Sequence, residues 1–256
     1  MKIIQKKVNE LSVSERAQLE NLIYRYYKSA APSFIADRLE KDYGYDIVMI
    51  KKGDIIQGVS FYHLTKYKKG PLGRSQYILH FGQVMKRSGY RGNIIWKLGM
   101  WYSRRNISQV YFLKNVTGIA SFISPKAFEH YTHLFPKCFY ELETKVDKEV
   151  RCFVEDYFNE IRGMSIHYNS DFCFDSSDLE KEDITDDWNK IYRASNETFN
   201  QLFIDNGIIS MENDRVYKMP RHITVCGIRR PMPFDKKLNL PPVYKTIRQN
   251  TGLLLS

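Results

Sequence analysis

A short turn rich in glycine and positive charge contains the residues with the clearest chemical potential. Gly89 and Gly92 follow a β-rich run and precede an amphipathic helical run, and the same turn carries Lys86, Arg87 and Arg91. The first amides of a helix have no partner within the helix and carry partial positive charge, so this turn is suited to a phosphate or pyrophosphate. Two glycines at this spacing also occur in purely structural turns.

The turn differs from the two best-known phosphate-binding loops. It lacks the Gly-Lys-Ser/Thr ending of a P-loop. It also lacks the Gly-x-Gly-x-x-Gly spacing of a dinucleotide fingerprint, and antiparallel strands are predicted before it. The anion chemistry is therefore predicted without either of these motifs.

Positive charge extends well beyond this turn. The 74 positions between Asp54 and Glu129 contain twelve basic residues and no acidic one, whereas residues 171–190 contain eight acidic residues and two lysines. This sign split predicts an anionic partner and leaves open whether that partner is a nucleic acid or a phosphorylated small molecule. Aromatic residues are interleaved with the basic block: Tyr62, Tyr67, Tyr77, Tyr90, Trp96, Trp101 and Tyr102.

The elements that must position this turn form a mixed α/β pattern, with antiparallel hairpins first and helical crossovers afterwards. Predicted strands cover Lys2–Val8, Tyr45–Lys51, Ile55–Tyr67, Gln76–Met85, Val110–Leu113 and Cys138–Glu143. Predicted helices follow Ser12, cover about Pro32–Tyr43, run from Ile94 through Tyr102 and cover Pro125–Phe135. Ser12 and Glu15 have the spacing of a capping box, and Gly82 inside the fourth strand predicts a bulge or a close backbone approach.

The pattern changes after Thr144, so residues 146–256 are predicted to be a C-terminal extension packed on a domain of residues 1–145. Apolar residues at helical spacing predict a helix from Thr144 through Ile161, and another helix is predicted over about Ile184–Phe203. His222–Ile228 could be a strand. The proline-rich segment Arg230–Pro242 reads as extended coil.

Composition limits the class of protein. The chain has 256 residues, 43% of them hydrophobic, and a formal charge of +10. This length supports a large core without disulfide or metal staples. Cys138, Cys152, Cys173 and Cys226 form no Cys-x-x-Cys pair, which predicts free core thiols and no metal site, with a lone catalytic cysteine as the alternative. With no run of about 18 apolar residues and no secretory signal, we expect a cytoplasmic protein without a membrane span.

The order of elements and the turn together resemble the GNAT superfamily of acyl-CoA-dependent N-acyltransferases. In that family the fourth strand leads into the pattern Gln/Arg-x-x-Gly-x-Gly/Ala, whose amides hold the pyrophosphate of coenzyme A. Residues 89–94 occupy these positions, with Gly92 as the strict match and Tyr90-Arg91-Gly92 similar to the common entry. Gly89 replaces Gln/Arg, and Ile94 replaces the small residue. The resemblance covers about residues 1–145.

A second stretch carries the same resemblance. Ser124, Ala127 and Tyr131 have the spacing of the family pattern Asn-x-x-Ala-x-x-x-Tyr, in which Asn lies near the pantetheine and Tyr protonates the departing thiolate. Packing of Tyr131 as a core aromatic beside Phe128 is the structural alternative.

The resemblance implies a GNAT-like, mostly antiparallel central sheet flanked by helices, with a C-terminal helical extension. It implies direct attack by an amine on an acyl-CoA, with Val84 pairing with the pantetheine. The residues implied to bind the coenzyme are Val84, Lys86, Arg87, Gly89, Tyr90, Arg91, Gly92, Asn93 and Ser124.

The general base is less well defined. Residues 55–128 contain no carboxylate, so a base on the central strands must be His63, His80, a tyrosine or a water. His80 is the first choice because it lies four residues before Val84, and a structural histidine is an equally good interpretation. His130 and His133 lie close to Tyr131 in sequence and are weaker candidates.

Two further hypotheses remain open beside the acyltransferase. A non-catalytic nucleic-acid-binding protein would use the basic aromatic block at 55–128, although no recognised nucleic-acid-binding motif is present. A degenerate fold that acts as an interaction module would explain the departures at Gly89 and Ile94. A hybrid is an acyltransferase whose acceptor is carried on RNA or another polyanion.

Overall fold

The structure, a computed structural model, describes residues 1–40, 44–67, 76–106, 116–132, 135, 137–139, 148–161, 173–176 and 179–229. The strand predicted over Val110–Leu113, His133 and the tail from Arg230 to Pro242 lie outside the described residues. The described part of the chain contains a large central sheet and a smaller three-stranded sheet.

The central sheet has the strand order β1-β2-β3-β4-β5-β11-β6, with β7 paired to one end of β11. Its strands are β1 Lys2–Lys6, β2 Asp46–Lys52, β3 Ile55–Tyr67, β4 Gln76–Lys86, β5 Val116–Phe122, β6 Lys137–Phe139, β7 Cys173–Asp175 and β11 Arg221–Arg229. Neighbouring strands are antiparallel except β4 and β5, which run parallel. The mixed α/β, mostly antiparallel architecture predicted from the sequence is therefore confirmed.

Helices cover both faces of the sheet. Alternate residues of β2–β4 pack with α1 (Val13–Tyr26) and α2 (Pro32–Glu40) on one face, and with α3 (Ile94–Asn106) and α4 (Pro125–Thr132) on the other. Ile47 and Phe61 belong to the first set, and Val48 and Tyr62 to the second. The period of two along a strand thus divides the core into two layers.

Strand β4 contains a bulge just after Phe81, the last of its residues that pairs with β5. Ser60 pairs with Val84 and Tyr62 pairs with Phe81, so Gly82 and Gln83 together oppose the single residue Phe61. A Cβ at Gly82 would lie 3.1 Å from both Phe61 Cβ and Tyr45 Cε1. Glycine therefore permits the close approach here, and the bulge predicted at Gly82 is present.

Helix α1 is fixed at its start by the side chain of Glu15. Ser12 Oγ accepts the Glu15 N–H and Glu15 Oε2 accepts the Ser12 N–H, which confirms the predicted capping box. The same carboxylate accepts hydrogen bonds from Lys6 on β1 and Lys51 on β2. Burial acts to raise the pKa of Glu15, but these hydrogen bonds outweigh it and lower the pKa to about 2.

The segment between β6 and β11 is inserted between two neighbouring strands of the central sheet. Its described elements are α5 Lys148–Asp156, which continues as a π-helical turn over Tyr157–Ile161, β7, β8 Glu182–Asp183, α6 Thr185–Asp187, α7 Glu197–Asp205, β9 Ile209–Glu212 and β10 Arg215–Lys218. Strands β8, β10 and β9 form the small sheet. The segment after residue 145 thus supplies strands to both sheets as well as helices.

Several predicted boundaries were wrong. The single helix predicted over Ile184–Phe203 is interrupted: α6 continues as a π-helical turn over Trp188–Tyr192, and α7 begins only after Asn196, which accepts the Thr198 N–H as its N-cap. The strand beside β4 is Val116–Phe122, which the sequence pattern did not predict. Cys173 and Cys226 are buried as expected, whereas Cys152 is exposed.

Replacing Glu15 tests this clamp. As the pH falls from about 4.5 toward 2, the wild type loses the stability that the low pKa of Glu15 provides, because the unfolded state takes up a proton at this carboxyl while the folded state still holds it ionised. We expect Glu15→Gln to lower the free energy of unfolding at pH 7 by about 1–3 kcal/mol and to flatten its dependence on pH below 5. Urea unfolding at pH 7, 5 and 3 measures both. Glu20→Gln, on an exposed position of the same helix, should keep the wild-type pH dependence.

Candidate functional site

The parallel pairing of β4 with β5 ends before either strand does. The last paired residues are Phe81 and Ala120, while β4 continues to Lys86 and β5 to Phe122. A pocket of about 150 Å³ lies between the two free ends, and we call it the gap. Its walls come from β4, β5, the first residues of α3, one side of α4, the end of α1 and residues 190–192.

The edge of β4 that faces the gap presents backbone hydrogen-bonding groups. The hydroxyl of Tyr26, at the end of α1, donates to the Lys86 C=O at 3.0 Å and accepts from the Lys86 N–H at 3.3 Å. Alternate residues of a strand direct these groups to the same side, so the N–H and C=O of Val84 also face the gap. An extended ligand with amide groups could pair with this edge as a further strand would.

The turn after β4 places backbone amides at one end of the gap. Gly89 and Gly92 have φ values of +81° and +120°, a region that favours glycine. Asn93 caps α3: its Oδ1 accepts the Trp96 N–H at 2.9 Å, and its Nδ2 lies 3.2 Å from His130 Nδ1 on α4. The glycines and the cap therefore fix the start of α3 beside the gap.

Three lysines line the gap, and no acidic residue is among the described residues that line it. Lys86, Lys126 and Lys190 come from β4, α4 and the inserted segment. Burial lowers the pKa of Lys86, and the positive charge of Lys126 lowers it further. An anion bound here would relieve this repulsion, so the electrostatics favour a negatively charged ligand.

The inserted segment is attached to α4 by hydrogen bonds along one wall of the gap. Ser124 Oγ donates to the Tyr192 C=O at 3.4 Å, and Lys126 Nζ donates to the Lys190 C=O at 3.2 Å. Further along the helix, Glu129 accepts hydrogen bonds from the backbone N–H groups of Ser195 and Asn196. The wall formed by residues 190–192 is thereby held against α4.

A buried ion pair connects this segment to Tyr26. Lys218 Nζ lies 2.8 Å from Glu182 Oε2, and these side chains are only 1% and 6% exposed. The same ammonium donates to the Tyr26 C=O at 2.8 Å, and the Tyr192 hydroxyl donates to that carbonyl at 3.2 Å. Burial lowers the pKa of Lys218, an effect that the nearby Glu182 carboxylate opposes. The acidic stretch at 171–190 therefore serves in part to position the end of α1.

Ile94 packs mainly into the core. Its Cδ1 lies 2.0 Å from the position that a Cβ on Gly58 would take, so the glycine on β3 accommodates the side chain. Ile94 is 7% exposed, although it also contributes to the wall of the gap. The β-branched residue that departs from the family pattern is thus accommodated by a compensating glycine.

The parallel β4–β5 pair separates after Phe81 and Ala120, and β4 is followed by a glycine turn and then by α3. The turn and the helix lie where the resemblance places them, after the fourth strand. In these features the fold resembles the GNAT type.

Comparison with known proteins gives distant structural likenesses only. A scan of the sequence against protein-family models gives no match, and a search of curated proteins gives none. Among solved structures, an acyl-CoA N-acyltransferase from Pseudomonas aeruginosa is 15% identical, with 58% of this chain and 94% of that chain covered and a TM-score of 0.35. An acetyltransferase from Trypanosoma brucei is 15% identical, with 57% and 99% covered and a TM-score of 0.37.

The NatC complex bound to a Gag peptide and CoA also matches. It is 12% identical, with 56% of this chain and 87% of that chain covered and a TM-score of 0.35. Identities and TM-scores this low do not extend to substrate or activity.

The gap brings together only some of the residues predicted to bind the coenzyme. Val84, Lys86, Gly92 and Ser124 line it. The other predicted residues belong to the turn beside it: Arg87, Gly89, Tyr90, Arg91 and Asn93. The side chain of Arg87 is directed to β3, where its Nε donates to the Ile56 C=O at 3.2 Å.

Tyr131 lines the gap and is also part of the core. Its side chain is fully buried, stacks on Phe135 with ring centroids 4.9 Å apart and meets Phe81 edge-on at 5.4 Å. Its hydroxyl lies 2.6 Å from the position that a Cβ on Gly118 would take and 3.1 Å from that of Gly227. These paired glycines of β5 and β11 make room for the phenol. Its role as an acid stays a prediction.

The structure does not bring His80 to the described wall of the gap. Because side chains alternate along β4, His80 points to the face opposite Phe81 and Tyr131. There its Nδ1 lies 3.3 Å from the Tyr45 hydroxyl, and its ring meets Tyr157 and Phe158 edge-on. The neighbouring His63 lies 3.0 Å from the Tyr157 hydroxyl through its Nδ1. His80 and Tyr131 are therefore on different faces of the sheet.

Sequence reasoning missed the residues that come from distant parts of the chain. Tyr26, Tyr192 and Lys190 line the gap, and no motif marked them. Lys126 was identified only as one member of the basic block. Among the described residues, no group of three or more His, Cys, Asp or Glu side chains could hold a metal ion. In the same part of the chain, no helix is long and apolar enough to cross a membrane.

Removing the Tyr26 hydroxyl should expose the edge of β4. We expect Tyr26→Phe to lower the free energy of unfolding by about 1–2 kcal/mol, because the N–H and C=O of Lys86 lose their shared partner. The Lys86 amide should also exchange its hydrogen faster in native-state hydrogen exchange. Tyr24→Phe, at an exposed position two residues earlier, is the matched control and should change neither quantity. Equal effects of the two variants would contradict the role given to Tyr26.

Proposed function

We propose that the chain is an acyl-CoA-dependent N-acyltransferase that transfers an acyl group, most simply acetyl, to an amine. The observation that supports this most directly is the gap, where a free backbone edge at Val84 and three lysines occur together. Coenzyme A would supply the activated acyl thioester. Its pantetheine carries amides that suit a strand edge, and its phosphates suit the lysines and the amides at the start of α3.

The proposed roles follow from position. Val84 orients the donor through its N–H and C=O, while Lys86 and Lys126 neutralise its phosphates. Tyr131 is the proposed acid for the departing thiolate, and no residue of the gap wall competes with it by carrying a carboxylate. Residues 190–192 close one side of the gap, so we assign acceptor selection in part to the inserted segment. A cytoplasmic location is part of the same proposal.

The reading as a degenerate interaction module is less well supported. It rested on Gly89 and Ile94, and Ile94 is accommodated by Gly58. Gly89 adopts a positive φ in an open turn in which a Cβ would meet no atom within 4 Å. Neither departure fills the gap.

Donor binding tests the proposal without knowledge of the acceptor. We expect acetyl-CoA or a longer acyl-CoA to bind in calorimetric titration, and Lys86→Gln/Lys126→Gln to weaken that binding about tenfold to a hundredfold through lost phosphate contacts. Lys52→Gln/Lys181→Gln removes the same charge from exposed positions elsewhere and should change the affinity less than about threefold. The proposal fails if the folded wild type binds none of acetyl-, butyryl- and palmitoyl-CoA.

Tyr131 and His80 can be separated by kinetics. With the best acceptor from a panel of polyamines, aminoglycosides and peptide N-termini, we expect Tyr131→Phe to lower kcat about a hundredfold and to leave acyl-CoA affinity unchanged. If His80 is the base, His80→Gln should remove the acidic limb of the pH profile of kcat/KM. A kcat for Tyr131→Phe close to that of the wild type would assign Tyr131 to packing alone.

A further inference from the structure

A second concave surface, which we call the α3 groove, lies along the outer side of α3. It has a volume of about 470 Å³, and Ile3 of β1 forms part of it. The helix contributes two rows of side chains at a spacing of four residues, so each row follows one line along the helix surface. The first row is Trp96, Met100 and Arg104, and the second is Lys97, Trp101 and Arg105.

The α3 groove combines aromatic rings with positive charge. Lys97, Arg104 and Arg105 are exposed, and α3 contains no acidic residue. The Arg105 guanidinium lies over the Trp101 ring, with its Cζ 5.5 Å from the ring centroid. Trp96 and Trp101 are half-buried, so each indole is fixed by packing while part of its surface faces the groove. This combination is typical of surfaces that bind single-stranded nucleic acids.

We propose that the α3 groove binds single-stranded nucleic acid, with Trp96 and Trp101 stacking on bases and the three cations contacting phosphates. Base stacking on an aromatic ring and phosphate pairing with Lys and Arg are independent attractions that this ligand satisfies together. The proposed acyl-transfer function does not require this surface, and the proposal does not rest on that function.

Charge complementarity favours this occupant over the others. A second copy placed groove to groove would bring six cations together. Residues 230–256 of this chain carry five basic residues and one acidic residue, so that segment has the same sign as the groove. Both indoles are half-buried in a concave surface, which suits a strand laid into it better than insertion into a lipid surface.

Five of the twelve basic residues of the block at 55–128 line the two surfaces. Lys86 and Lys126 line the gap, whereas Lys97, Arg104 and Arg105 line the α3 groove. The two anion-binding predictions that the sequence left as alternatives therefore concern different surfaces.

Intrinsic fluorescence provides a direct test, because two of the three tryptophans lie in the groove and Trp188 is only 6% exposed. We expect a fluorescein-labelled dT15 oligonucleotide to bind in anisotropy titrations at 50 mM KCl, and unlabelled dT15 to quench tryptophan fluorescence. In Trp96→Phe/Trp101→Phe the quenching should disappear. Trp101→Leu should weaken binding about tenfold, since one stacking platform is lost.

Salt dependence tests the cations. Lys97→Gln/Arg104→Gln/Arg105→Gln should reduce the slope of log affinity against log salt by about 2, at about 0.7 per phosphate contact on a single strand. The matched control, Lys52→Gln/Arg193→Gln/Arg215→Gln, removes the same charge from exposed positions elsewhere. Circular dichroism of every variant verifies folding.

Four results would overturn the proposal. The first two are no binding of dT15 to the wild type at 50 mM KCl and no quenching of its tryptophan fluorescence. The third is an equal loss of dT15 affinity in the groove and control triple variants. The fourth is binding of poly-glutamate or phosphatidylserine vesicles that is as tight as that of dT15, or tighter. Acyl-CoA titration of the groove variants keeps this test separate from the proposed enzyme, because their acyl-CoA affinity should equal that of the wild type.

Discussion

The end of the β4–β5 pairing at Phe81 and Ala120 is the constraint on which the rest of the candidate site depends. The bulge at Gly82 and Gln83 lies immediately after the last β4–β5 pair. A bulge bends its strand, so β4 no longer continues as a regular parallel neighbour of β5. Beyond this point no strand among the described residues pairs with this edge of β4, and its polar groups must be satisfied by something else. The Tyr26 hydroxyl satisfies Lys86, and Val84 is the residue at which we propose that an extended ligand pairs.

The position of Tyr26 depends on contacts at both ends of α1. Glu15 attaches the start of α1 to β1 and β2, while Lys218, Tyr192 and Glu182 hold the carbonyl at its end. A buried ion pair gains little net stability against its desolvation cost, but it fixes geometry strongly. The inserted segment therefore contributes a wall and also determines where the tyrosine enters the gap.

Local signals predicted the local features. The capping box of Ser12 and Glu15, the bulge at Gly82 and the strand at His222–Ile228 each follow from a few neighbouring residues. Strand β5 escaped prediction because its Gly118 has low strand propensity and is explained only by the close approach of Phe135 and Tyr131. The pairing of β5 with β11 and the approach of Tyr192 to Tyr26 join residues more than 100 positions apart, which no local pattern records.

A crystal structure with coenzyme A bound tests the central claim most directly. The account predicts pantetheine in the gap, with its amides bonded to the N–H and C=O of Val84, its phosphates near Lys86 and the start of α3, and the Tyr26 hydroxyl displaced from Lys86 if the ligand extends that far. Coenzyme A bound elsewhere on the surface, with the edge of β4 unchanged, would contradict it.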